Sequence, residues 1–224
     1  MTTTPNQTSA PPERFRPAVK PFRIGREFAY GSLWVAIGLL SGFLAKFVDA
    51  ASHSGLLGWL LRFASDLTGG FGLWILLAVL IAIYSQRPWS AAIITSLFFI
   101  AMLLTYYLYT VVVLHFLFGN IVRGWMQFAL LSSIAGFATW YAKHDGWVGM
   151  VLAALPVGFL LAHALPAYSP YKLVYLLDLL FAASLLFILK GEDRGRLVTA
   201  LIAVVVAVLL TVSSFFTIVF SPLM

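Results

Sequence analysis

From Phe28 onward the chain is a succession of apolar stretches, each on the order of 20 residues, the length a helix needs to cross a hydrocarbon core about 30 Å thick. Charged residues fall mostly in the short links between them. A bilayer offers no water to free backbone groups, so such stretches cross as helices, each closing its own hydrogen bonds. The length rule places spans near 28–48, 70–86, 89–118, 124–142, 147–166, 172–190 and 196–220. The expected fold is all-α: a polytopic transmembrane helical bundle of about seven spans. Between the first two, Ser54 to Thr68 is apolar but too short to cross, and reads as one outer interfacial helix with Arg62 and Asp66 paired at i,i+4. Gly69-Gly70 ends it, and Pro156 is expected to kink the fifth span.

Composition excludes the soluble alternatives. Of 224 residues, 62% are hydrophobic and 10% charged, where a soluble domain carries about a quarter charged residues. Mean hydropathy is +0.97. A chain of this size and polarity cannot clothe a water-facing surface, which sets aside both a soluble enzyme and a disordered protein. Cysteine is absent, which removes disulfides, thiolate metal sites and thiol catalysis together.

Charge sets the expected orientation. Residues 1–26 are rich in Thr, Pro and cations and read as a disordered basic cytoplasmic tail, and residues 27–224 as the transmembrane helical domain. The tail is too long for the n-region of a signal peptide. With it inside, Arg87, Lys143, Lys190, Arg194 and Arg196 are also cytoplasmic, leaving Lys46, Arg62, Arg123 and Lys172 outside. That asymmetry follows the positive-inside rule, and an odd number of spans puts Ser221 to Met224 outside. Membrane lipids are the expected partner of the basic tail. Nucleic acid is not, because no folded basic module with interleaved aromatics accompanies the net charge of +6.

Motifs of known chemistry fail on inspection. Gly119 to Gly124 has the glycine spacing of a phosphate loop, but Trp125 stands where Lys is required. Asp145-Gly146 lacks the further acidic residues of an alcohol-phosphotransferase motif, and neither HExxH nor GxSxG occurs. No catalytic residue, metal ligand or cofactor is expected, and the chain is not read as an enzyme.

Polar residues instead gather by depth. His115 ends the third span, Gln127 begins the fourth, His163 is near the outer end of the fifth and Asp178 enters the sixth. At 1.5 Å per residue, Gln127 and Asp178 lie roughly 6–9 Å from the outer ends of their spans. Lys46 and Asp49 fall on the same side at i,i+3 spacing, as do Tyr106, Tyr107, Tyr109, Tyr168, Tyr171 and Tyr175. A carboxylate inside Tyr175-Leu-Leu-Asp178-Leu-Leu must find a partner or a proton in hydrocarbon, so Asp178 is the leading candidate. Candidate ligand-binding residues are Asp178, His163, His115, Gln127 and Tyr175. Read otherwise, the same carboxylate only fastens helices, the histidines satisfy themselves at the interface and the tyrosines form an aromatic belt. Gly38 and Gly42 give the first span a small-residue face, open to an internal helix or to another membrane subunit.

Two readings of function stand. One is a small-molecule binding or transport component with an outward-facing polar pocket. The other is a non-transporting scaffold or accessory subunit. In size, charge and hydropathy the chain resembles the substrate-binding subunits of energy-coupling-factor importers, from which its long basic tail and seventh span depart. Through Leu73-Trp74, Tyr106-Tyr107, Trp140-Tyr141, Gly146-Trp147 and Ala153-Ala154-Leu155-Pro156 it also resembles a family of uncharacterised small multi-spanning bacterial membrane proteins. That resemblance implies a bacterial inner (plasma) membrane location and no particular chemistry.

Overall fold

A computed structural model describes residues 23–51, 55–115, 119–164, 172–190 and 192–213. These form eight helices, and among the described residues there is no strand: α1 (Ile24–Ala50), α2 (Gly55–Gly69), α3 (Phe71–Tyr84), α4 (Pro88–Leu114), α5 (Gly119–Ala142), α6 (Trp147–His163), α7 (Lys172–Leu189) and α8 (Asp193–Val212). Most of the basic tail, residues 165–171 and the C-terminal Ser221 to Met224 lie outside the described residues.

Local chemistry explains several boundaries. Pro88 begins α4, where its missing N–H costs nothing. His115 ends it in the left-handed conformation, at φ 57°. Gly146, at φ 101°, supplies the backbone angle that opens α6 and that a side chain would resist. Gly70 separates α2 from α3, and the two helices meet at a bend of 58°. Helix α6 runs unbroken through Pro156.

Each of the seven expected spans carries a helix over its described residues, yet among the described residues only α1, α4 and α8 are long and apolar enough to cross a membrane by themselves. The bent pair α2–α3 makes a fourth if it is one span. For α3 and α6 the difference is one of length, whereas α5, at 24 residues, is long enough and is set apart by its more polar composition. Helix α3 has 14 residues and so reaches about 21 Å, short of a core about 30 Å thick. Helix α6, with 17 residues, reaches about 25 Å. Arg62 and Asp66, expected to pair, form no ion pair in the structure.

Burial is inverted relative to a soluble protein. The main core joins α3, α5, α6, α7 and α8 through largely small or branched residues, among them Val79, Ala153, Ala154, Val157, Ala182 and Ala203. A second cluster, Ile81, Ile94 and Phe98, joins α1, α3 and α4, with Trp34 packed against it. Large side chains such as Leu40, Leu104, Ile134, Leu180 and Val205 point outward and are exposed, the distribution expected where lipid covers the surface. Helices α1 and α4 pack closely because Gly38 and Gly42 sit against the Phe98 and Met102 carbonyls. The Thr105 hydroxyl then reaches across to the Leu39 carbonyl at 2.8 Å. The small-residue face considered above for another subunit is thus occupied by α4 of the same chain.

One end of the bundle is tied by polar contacts. Glu27 accepts the Gln86 N–H at 2.6 Å, and the Trp140 indole donates to the Ser85 carbonyl at 2.9 Å. Lys143 donates to the carbonyls of Ile83 and Ser85, and Lys190 to that of His144 at 2.9 Å. Ammonium groups placed on helix C-terminal carbonyls satisfy orphan acceptors and complement the helix dipole. The start of α1 and the turns α3–α4, α5–α6 and α7–α8 therefore share one end of the molecule.

Candidate functional site

Two distinct arrangements stand out, one toward the opposite end and one running along the bundle. The first is a buried pair of contacts made by one carboxylate. Asp178, on α7, has no exposed surface. Its Oδ2 lies 2.6 Å from Nδ1 of His163 on α6, and its Oδ1 accepts the N–H of Gly72 at 3.1 Å. Gly72 lies in the first turn of α3, where backbone N–H groups have no partner within the helix and favour an anion. Absence of a side chain at Gly72 is what lets the carboxylate approach, because a Cβ there would stand 2.6 Å from Asp178 Oδ1. The sequence placed Asp178 and His163 at one depth; the structure puts them in direct contact.

The second arrangement is a cavity of about 730 Å³ walled by α1 to α6, within the range of small-molecule sites. Phe71, Trp74, Phe99, Trp125, Phe128 and Phe159 give it an aromatic lining. Its charged lining residues are Lys46 and Asp49, near the end of α1. Their side chains pair at 2.8 Å, and Lys46 Nζ also lies 3.4 Å from the Tyr106 hydroxyl and 4.9 Å from its ring centre. At the other end Thr95 is fully buried, its hydroxyl without a hydrogen-bond partner among the described residues. Leu131 and Ala135, on α5, line the cavity and are exposed.

Phe71 stands between the two arrangements. Its ring lines the cavity and packs edge-on against His163 at 5.0 Å and Phe159 at 5.7 Å. His163 and Asp178 do not line the cavity themselves. Of the other candidates, Tyr175 is half-buried one helical turn before Asp178, whereas Gln127 and His115 are exposed. Tyr106 and Tyr107 line the cavity, and Tyr109 packs on Phe43 instead. Tyr168 and Tyr171 lie outside the described residues.

Sequence reasoning passed over most of the cavity wall. Phe71, Trp125 and Phe159 look like any other aromatic in an apolar run. Trp74 lines the cavity as well, and its indole donates to the Thr68 carbonyl at 2.7 Å, fixing the α2–α3 bend. Among the described residues no three His, Asp or Glu side chains converge as a metal site would require. Compared with known protein families, curated proteins and solved structures, the chain matches none.

Proposed function

We propose that the protein is a membrane-embedded small-molecule binding component, and that the aromatic cavity between α1 and α6 is its binding site. The observation that carries this reading is the cavity itself: about 730 Å³ of largely apolar space with its charged groups gathered at one end. Concave apolar sites with a few convergent polar groups are where ligands bind. Transport of the bound molecule is part of the same proposal.

The proposed setting is a bacterial inner membrane crossed seven times, with α2 lying at the outer surface and the C-terminus outside. In support, the turns holding Arg87, Lys143 and Lys190 share one end with the start of α1, as the positive-inside rule asks of a cytoplasmic face. Single cysteines in the cysteine-free chain test it. With an impermeant maleimide on intact cells, Gly119→Cys should label and Asp145→Cys should not; the reverse pattern overturns the orientation.

A scaffold is the second reading, favoured by the Asp178 contacts, which join α3, α6 and α7 and leave that carboxylate no solvent exposure. Native mass spectrometry of the purified protein separates the two. Binding predicts a copurifying mass that Ala78→Phe, which fills the cavity wall, removes. A protein that carries no such mass and is stabilised by the same filling is a scaffold.

A further inference from the structure

The shape and polarity of the cavity narrow its ligand, an inference that rests on the cavity being a binding site. Thr95 and Thr110, fifteen residues apart on α4, both line it, so it extends about 22 Å along the helix. A space of about 730 Å³ drawn out over that length, with an aromatic wall, suits an extended hydrocarbon chain better than a compact ring system.

The polar end is ordered. Of the Lys46–Asp49 pair, the Lys46 side chain keeps 12% of its exposure and that of Asp49 keeps 50%. The cation lies inward and the anion outward. A headgroup that carries its anion next to the chain and its cation beyond meets both groups in register. A purely anionic headgroup meets the outward carboxylate without a counter-charge.

We propose that the cavity takes one chain of a zwitterionic phospholipid, its phosphate against Lys46 Nζ and the Tyr106 hydroxyl and its ammonium against Asp49. The aromatic wall supplies contact for the chain, and the exposed Leu131 and Ala135 mark where the cavity is reached from α5.

The full-length protein, purified in detergent, is titrated with phosphatidylcholine or with phosphatidylglycerol of the same chains and read by native mass spectrometry. One phosphatidylcholine is expected to bind, about tenfold tighter than phosphatidylglycerol, a difference of about 1.4 kcal/mol. Ala135→Phe should abolish it. The double variant Lys46→Asp/Asp49→Lys keeps the ion pair, and so the fold, but inverts its order; it should weaken phosphatidylcholine about tenfold. Equal binding of the two lipids, or indifference to the charge reversal, overturns the proposal. A copurifying compact solute displaced by Ala135→Phe, with no lipid retained, overturns it while leaving the binding reading in place. Absence of any adduct removes both.

Discussion

Oδ2 of Asp178 lies 2.6 Å from Nδ1 of His163, behind the ring of Phe71 and outside the cavity that Phe71 lines. With Oδ1 on the Gly72 N–H, one carboxylate fastens α7 to both α6 and α3. The two functional readings of Asp178 therefore make different demands on it.

Asp178→Asn keeps the shape and removes the charge. The amide oxygen can still accept from Gly72, but its NH2 bonds His163 Nδ1 only when that ring nitrogen carries no proton, and the hydrogen bonds to a charged acceptor are lost. The expected loss of stability is about 1–3 kcal/mol, the worth of a hydrogen bond to a charged group. Ligand binding in the cavity, measured below both melting transitions, should persist. Lost binding at full stability would instead make Asp178 part of the ligand site.

Gly72→Ala tests the same junction from the other side. Its Cβ would press on Asp178 Oδ1 and on the Phe181 ring, so α7 must shift away from α3. A cost of about 1–3 kcal/mol is expected from the overpacking. Combined with Asp178→Asn, the double variant should lose less than the sum of the two single losses, because both disturb one contact. Full additivity in detergent melts would show that Gly72 and Asp178 act independently.

Why part of this was legible in the sequence and part was not follows from what each residue signals. An ionisable group deep in an apolar run stands out, which is how Asp178 and His163 were singled out together. Gly72 contributes a backbone N–H, which any residue has, so no residue type marks it as the carboxylate's second partner. His115 and Gln127 have the right depth but the wrong azimuth, and depth is all that spacing gives in helices apolar on every side. The cavity wall is hidden for the same reason: Phe71 and Trp74 face inward, Trp89 outward, and their neighbours in sequence do not distinguish them. Helix existence was legible from the apolar runs, but the number of spans was not, since the turn at Ser85 to Arg87 leaves α3 too short to cross alone.

The α1–α4 contact supplies its own control. Gly31 and Gly42 both lie on the α1 face toward α4. A Cβ at Gly31 would meet only Ile94 side-chain carbons, at 3.5 Å and beyond, whereas one at Gly42 would overlap the Met102 carbonyl. Gly42→Ala should therefore destabilise by about 1–3 kcal/mol. Gly31→Ala should be neutral or gain up to about 1 kcal/mol from better helix propensity. Equal effects in thermal unfolding would mean that α1 does not approach α4 this closely.

Lys190 makes a prediction in pH. Its side chain is buried and donates to the His144 carbonyl, and burial lowers its pKa from the ordinary lysine value of 10.5, with Asp145 pulling the other way. Near neutral pH the group is charged both folded and unfolded, and the cost of burying the charge is fully present. Between the lowered folded value and 10.5 the folded protein binds fewer protons than the unfolded chain, so stability rises with pH across that window. The bond to His144 does not depend on the charge, because a neutral amine still donates. Melting temperatures of the wild type and of Lys190→Met, compared from pH 8 upward, isolate the effect from the other groups that titrate there. The wild type should gain on the variant as the pH approaches 10.5. A constant difference would place the ammonium in water, and a wild type that loses ground would mean that the folded state favours its charge.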